Sequence, residues 1–395
     1  MSRRNDLHAL YVFSFLKSLN FFGAVTVPFY LYRVKLDYGR MFLLEAVFSA
    51  SMMLLEIPTG IVADRWGRKI SLAWGSGFLA LSFLAFGVFR SFWVLLAAEI
   101  VCALGMTLVS GADKALLYET VQAGGSGEEP TTVFARYEAA GTAGMFVAFP
   151  AGSLFAGSGI LGYGEALGFV FIATAIALGL AGAIVLSVGE RRSDRGREGF
   201  IRQGVQGFLY IFRIPQLRRF ALDYSVISAF TFFMFWFYQS LLLRNKVSVG
   251  WLGFVGAGFN LVATLLLSAT PAVRKRLGIG KSLVLSSLLP GLFYLAAGTL
   301  PGLGVALAAI FGVTTLRLFR APMLSALMNE WIEDGNRATV LSGVSMIERV
   351  MIALLYPLVG ALADRSLNLA LLSLGAATVA GVLLLRMKRA AGAGR

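Results

Sequence analysis

Charge is what this sequence has least of. Only 14% of its 395 residues are Asp, Glu, Lys or Arg, against roughly 25% in an ordinary soluble domain. Hydrophobic residues make up 57%, and the mean hydropathy is +0.76. A water-soluble fold made of this chain would lack the polar groups to cover its exterior. Cys102 is the one cysteine, which excludes an intramolecular disulfide and a cysteine-based zinc cage. His8 is the one histidine, so a multi-histidine metal site is excluded as well. Neither residue suggests catalysis. No nucleophile–base set and no phosphate loop is found. The chain therefore reads as a non-enzyme that needs no metal and no cofactor. Strict period-two alternation is also missing, which argues against a membrane β-barrel.

What remains is a series of long apolar runs. Twelve segments of about 20 residues are each long enough to cross about 30 Å of hydrocarbon as a helix. They cover 9–31, 41–63, 70–89, 92–111, 134–156, 166–188, 220–243, 250–272, 282–300, 303–327, 339–362 and 367–386. The basic start Arg3-Arg4 is not read as a signal peptide, because the run after it is a full span and similar spans follow. The 45 glycines suit helices that pack closely in lipid. A net charge of +14 would suggest nucleic acid in a soluble protein. Here most Lys and Arg fall in connections that share one side if both termini are cytoplasmic. The charge is thus a topology signal facing anionic lipid headgroups. One loop dissents: Arg33, Lys35 and Arg40 would lie outside. The expected location is a cell membrane, multi-pass, with both termini cytoplasmic and no nucleic-acid partner.

The longest connection contains Glu190-Arg191-Arg192-Ser193-Asp194-Arg195-Gly196-Arg197-Glu198 and reads as a cytoplasmic linker. It divides the chain into residues 1–189, a linker 190–219, and residues 220–395. The two parts echo each other. Ala115–Glu119 corresponds to Ala326–Glu330, Pro150-Ala151-Gly152 to Pro357–Gly360, and Arg65-Trp66-Gly67 to Arg276-Leu277-Gly278. Together these favour an internal six-helix repeat.

The strongest motif is Gly60-Ile61-Val62-Ala63-Asp64-Arg65-Trp66-Gly67-Arg68-Lys69, between the second and third spans. It resembles the signature loop of the major facilitator superfamily, and the six-plus-six layout agrees with it. The resemblance implies an all-α integral membrane fold of twelve transmembrane helices in two pseudo-symmetric six-helix bundles. It also implies that Gly60, Asp64, Arg65, Gly67, Arg68 and Lys69 form a gating loop, with Asp64 and Arg68 latching one conformation. The alternative is a solvated turn, Gly60 allowing close helix approach and Gly67 a tight bend. The second-half copy is degraded: Lys275 stands where an aspartate belongs, and Gly280-Lys281 replaces the basic pair. Gly144 through Pro150 to Gly152 loosely resembles an antiporter pattern, with Phe149 where a glycine is expected. Leu55–Gly60 and Gly111–Tyr118 look like a bacterial efflux-like branch.

The ionisable residues that stand out deep inside spans are Lys17, Glu56, Glu99, Arg317, Arg320, Glu348 and Arg349. Each would cost about 2.5–3.5 kcal/mol at mid-membrane, so each should face a cavity or a partner. The rise per residue puts Lys17 about 12 Å from the cytoplasmic end of its span. In the resembled family the first, fourth, seventh and tenth spans line the cavity, and Lys17, Glu99 and Arg317 sit on three of these. Helical spacing groups Lys17 with Asn20 and Ala24, and Glu99 with Cys102, Met106, Ser110 and Asp113. The candidate substrate and coupling set is Lys17, Asn20, Glu56, Glu99, Tyr238, Gln239, Arg317, Glu348 and Arg349. In one reading Lys17 and Arg317 attract an anionic or zwitterionic solute while Glu56 or Glu99 carries a proton, since a buried Glu can titrate near neutral pH. In the other, the charges only neutralise one another, Lys17 with Glu56 and Glu348 with an arginine, and Arg320 snorkels to the interface.

The function expected from all this is secondary active transport of a small organic solute by alternating access, coupled to protons and directed outward, by a monomer among membrane lipids. The alternatives are uptake or facilitated diffusion of an organic anion, and a non-transporting membrane receptor or assembly protein.

Overall fold

The computed structural model describes residues 3–122, 129–190, 209–332 and 337–385. Residues 191–208, the greater part of the expected linker, lie outside the described residues. All regular structure among the described residues is helical, as a chain in hydrocarbon requires when each backbone N–H and C=O must be satisfied internally. The helices are α1 (Arg3–Lys17), α2 (Tyr38–Trp66), α3 (Arg68–Val88), α4 (Phe92–Val109), α5 (Ala112–Gln122), α6 (Pro130–Gly157), α7 (Tyr163–Val185), α8 (Pro215–Phe232), α9 (Met234–Arg244), α10 (Leu252–Ser268), α11 (Thr270–Thr299), α12 (Leu303–Asn329), α13 (Arg337–Arg365) and α14 (Leu367–Leu385). Among the described residues, eleven helical segments are long and apolar enough to cross a membrane.

The expected span 9–31 is the exception. Its helix stops at Lys17 and resumes at Thr26, running into a wider π turn over Phe29–Val34. The reason lies in its neighbours. The Phe21 N–H is satisfied by the Thr174 hydroxyl of α7 at 3.1 Å, and the Phe22 ring is 4.7 Å from both Phe83 and Phe171. Irregular backbone is tolerated at membrane depth where protein surrounds it. The break also dissolves the expected stripe of Lys17, Asn20 and Ala24, because Asn20 sits in the break and not on a helix.

The chain forms two compact units. Unit 1 is Met1–Leu36, Val47–Arg197 and Ser248–Ala257; unit 2 is Asp37–Ala46, Glu198–Val247 and Gly258–Arg395. Inside unit 1, α3 packs along α4 and α7, and α1 along α6 and α7. Inside unit 2, α11 packs along α12 and α14, and α8 along α13. The two patterns correspond, and local geometry repeats with them at a separation of 211 residues. Lys35 and Lys246 are the two non-glycine residues of positive φ among the described residues, at 63° and 59°. Gly67 and Gly278 break their helical runs at φ 102° and 73°. Gly87 meets the Gly168 carbonyl and Ile172, while Gly298 meets the Asn368 carbonyl and Leu372.

The same repeat accounts for one of the three basic residues of the dissenting loop, Arg33, while Lys35 and Arg40 are exposed. Arg33 is 8% exposed and donates to the Gly164 carbonyl at 2.7 Å and to the Gly87 carbonyl. Its counterpart Arg244 donates to the Ala297 carbonyl at 3.1 Å and to the Asn368 side chain. Each guanidinium thus closes the carbonyl end of one helix, α3 or α11, where a cation is favoured. Each also ties that end to the start of α7 or α14. Burial lowers the Arg33 pKa from its ordinary value; Arg90 acts in the same direction and Glu165 opposes it. Arg33 is therefore a structural clamp, and its positive charge is not a topology signal.

Gly67 has a backbone conformation that L side chains rarely adopt, and a Cβ there would sit 2.6 Å from the Glu190 carboxylate. Gly67→Ala is expected to cost about 1–3 kcal/mol. A Cβ at Gly60 meets nothing within 4 Å, so the expected close helix approach at that residue is not found. Gly60→Ala, at a helical position, should leave stability unchanged or raise it by about 0.5–1 kcal/mol. Thermal unfolding followed by a thiol-reactive dye on the buried Cys102 checks both.

Candidate functional site

Each unit holds its own charge cluster. In unit 1, α1 ends at Lys17, where the broken span leaves its ammonium beside α5 and α6. Lys17 Nζ pairs with the Asp113 carboxylate and donates to the Tyr137 hydroxyl at 2.9 Å. That hydroxyl donates in turn to Asp113 at 2.9 Å. The Ser14 hydroxyl fixes the Tyr137 backbone carbonyl at 2.8 Å. Three helices therefore converge on one closed triangle. The expected partner of Lys17, Glu56, is replaced by Asp113. The reason is that the run 92–111 does not continue as one helix: it stops at Val109, and Gly111 at φ 79° turns the chain into α5. Glu99 is 5% exposed and accepts a hydrogen bond from the Tyr30 hydroxyl at 3.1 Å. The expected stripe along the fourth span is uneven: Cys102 is buried, whereas Met106 is 42% exposed.

In unit 2, α12 carries two arginines one turn apart with separate partners. Arg317 pairs with Glu348 of α13 at 3.2 Å, and its guanidinium lies 5.3 Å from the centre of the Phe232 ring. The Ser228 hydroxyl of α8 donates to the same Glu348 oxygen. Arg320 pairs with Asp223 of α8 and donates to the Ser287 hydroxyl and to the Leu283 carbonyl at 3.1 Å. Arg320 therefore does not snorkel; it is a core residue with its own counter-ion. Asp223 was not among the expected ionisable residues, although it lies inside the run 220–243. An aspartate in an apolar run was the available signal.

Accessibility separates these pairs. The Arg320 and Asp223 side chains are 3% and 0% exposed, whereas Lys17 is 22% and Arg317 25% exposed. The second group is partly exposed and the first is sealed. Tyr238 and Gln239 are fully buried, with Tyr238 packed edge-on against Phe259 at 5.4 Å. Glu56 is half-buried on α2 and Arg349 is exposed on α13.

The loop Gly60–Lys69 is anchored within unit 1. Arg68 pairs with Glu119 of α5 at 2.8 Å, and its backbone N–H donates to Glu190, which follows α7. Arg65 is exposed and Lys69 half-buried. The Asp64 side chain lies outside the described residues. Glu119 belongs to the segment Ala115–Glu119 picked out by the internal echo, so the loop and the echo meet in one ion pair. Among the described residues, no three His, Cys, Asp or Glu side chains gather as a metal ion would need.

Removing one member of the sealed pair leaves a buried charge alone, which costs about 3–5 kcal/mol. Asp223→Ala and Arg320→Ala should each fall in that range. The double variant Asp223→Leu with Arg320→Met should recover most of the loss, because an apolar pair needs no counter-ion. Unfolding temperatures of the three variants in detergent decide this.

Comparison with known proteins agrees with the architecture. No family model matches the chain. An uncharacterized MFS-type transporter of Bacillus subtilis (strain 168), YxaM, is 34% identical over 104 residues, which is 26% of this chain and 26% of that protein. The match thus spans about a quarter of the relative's length. The nucleoside transporter NupG superposes with a TM-score of 0.81 at 14% identity, covering 96% of this chain and 98% of that one. A bacterial homologue of the human lysosomal transporter Spinster gives 0.73 at 16% identity, covering 98% and 93%. A transporter of the POT family, solved with 5-aminolevulinic acid, gives 0.72 at 12% identity, covering 96% and 95%. At these identities the structures speak for the fold. The chain thus has the fold of these transporters, with eleven helical segments among the described residues long and apolar enough to cross a membrane, and over about a quarter of its length it is similar to an MFS-type transporter.

Proposed function

We propose that the protein is a secondary active transporter that carries a small organic solute, anionic or zwitterionic, across a cell membrane by alternating access, outward and in exchange for protons. The observation that carries this reading is the pair of partly exposed ion pairs, Lys17–Asp113 in unit 1 and Arg317–Glu348 in unit 2. Each presents a cation within reach of solvent and a carboxylate that must be neutralised when that cation turns to another anion. A solute carboxylate or phosphate replaces the protein's own carboxylate as partner of Lys17 or Arg317, while the displaced Asp113 or Glu348 holds the solute ammonium on the outward step and a proton in its place on the return, so that solute and proton occupy the carboxylate in turn. Charged groups in hydrocarbon are costly alone, so solute binding and proton binding become linked. Glu99, sealed with Tyr30, or Glu56 is the second candidate for carrying the proton. The POT and NupG structures are of transporters, and this supports transport over catalysis.

The experiment is a thermal-shift screen of the purified protein against nucleosides, amino acids, short peptides and organic acids at pH 5.5 and 7.5, followed by flux into proteoliposomes under a pH gradient. A compound that stabilises the wild type should lose at least tenfold in apparent affinity with Arg317→Gln or Lys17→Gln, and its flux should follow the gradient. A binder indifferent to both substitutions removes the two pairs from the site. A flux independent of the gradient replaces exchange with facilitated diffusion.

A further inference from the structure

Unit 1 carries an apolar groove that the transport reading does not use. It has a volume of about 210 Å³ and is formed by α2, α3 and α4, with Leu55, Trp66, Trp74, Phe78 and Leu104 among its walls. Thr59 is the one polar residue of the lining. Its hydroxyl is turned back onto its own helix, donating to the Leu55 carbonyl at 2.7 Å, so it offers no hydrogen bond to an occupant. Trp66 and Trp74 are 47% and 55% exposed, with ring centres 6.1 Å apart.

The groove has a direction and a length. One end lies at the turn of Gly67, where α2 stops and α3 starts, and where α4 also comes to its end at Val109. From that turn the lining runs back to Leu55 on α2 and forward to Phe78 on α3. They lie twelve and eleven residues from Gly67, or about 16–18 Å along a helix. Half of a hydrocarbon core of about 30 Å is about 15 Å. The groove is therefore as deep as one leaflet. Its turn end carries the exposed Arg65 and the half-buried Lys69, while Arg68 is engaged by Glu119 at 2.8 Å. An apolar slot one leaflet deep, under two cations at headgroup level, is complementary to one kind of molecule.

We infer that this groove holds an acyl chain of an anionic phospholipid, whose phosphate is met by Arg65 and Lys69 at the Gly67 turn. Trp66 and Trp74 cover the upper part of the chain, where amphipathic rings suit the interface. The lipid sits against the loop that joins α2 to α3, so its headgroup charge acts on the anchorage of that loop by Arg68 and Glu119. The site is independent of the solute reading and stands or falls without it.

The test uses the full chain reconstituted in phosphatidylcholine vesicles, with Trp93→Phe, Trp236→Phe, Trp251→Phe and Trp331→Phe so that Trp66 and Trp74 report the groove. Phosphatidylglycerol and phosphatidylcholine with brominated acyl chains are titrated in as quenchers. Brominated phosphatidylglycerol should quench at lower mole fraction than brominated phosphatidylcholine. Arg65→Gln and Lys69→Gln should each reduce that preference, roughly fivefold per cation removed, without changing quenching by phosphatidylcholine. Equal quenching by the two lipids in the parent would overturn the proposal and leave ordinary annular contact. Native mass spectrometry of the wild type gives a second reading. One retained phosphatidylglycerol that the Arg65→Gln/Lys69→Gln protein releases supports the site, and equal retention by both proteins contradicts it.

Discussion

A charge in hydrocarbon needs a partner, and the interior of this protein is arranged around that requirement. Isolated, each ionised side chain would cost several kcal/mol. Paired, it fixes two or three helices against one another at a single register. Lys17 joins α1 to α5 and α6, Arg320 joins α12 to α8 and α11, and Arg317 joins α12 to α13. The polarity is reversed between the halves. In unit 1 the first span supplies the cation and the helix after the fourth span supplies the carboxylate. In unit 2 the seventh span supplies the carboxylate Asp223 and the tenth the cation Arg320.

The same requirement sorts pairs into two grades. In the Arg320–Asp223 pair both side chains are buried, whereas Arg317–Glu348 is partly exposed. The two arginines lie one turn apart on α12, so pairs of different burial are spaced by the helical repeat itself. Backbone carbonyls follow the rule too. Arg33 and Arg244, equivalent in the two halves, close the carbonyl ends of α3 and α11, where the helix dipole leaves partial negative charge.

The repeat has left traces at very different levels of visibility. Arg65-Trp66-Gly67 and Arg276-Leu277-Gly278 can be matched by eye in the sequence, and both glycines turn out to adopt positive φ. The correspondence of Arg33 with Arg244 and of Lys35 with Lys246 is as close in geometry, and the sequence carries it only as a spaced pattern, Leu31, Arg33, Lys35 and Gly39 against Leu242, Arg244, Lys246 and Gly250.

Hydropathy alone determined the membrane-spanning character, the helical class and the near-complete set of spans. Those follow from backbone satisfaction and from apolar length, both of which are local properties. The signature loop and the six-plus-six echo gave the architecture, because turn chemistry at Gly67 is local as well. Only the tertiary structure decided which charge meets which. Lys17 was matched in sequence with Glu56 on depth alone, yet it pairs with Asp113, since a break after Lys17 and a turn at Gly111 redirect both chains. Asp223 drew no notice in sequence because it stands alone in its run, and its counter-ion Arg320 lies 97 positions away. Ion pairing across helices depends on rotation and register about each axis, and a one-dimensional pattern carries depth but not azimuth.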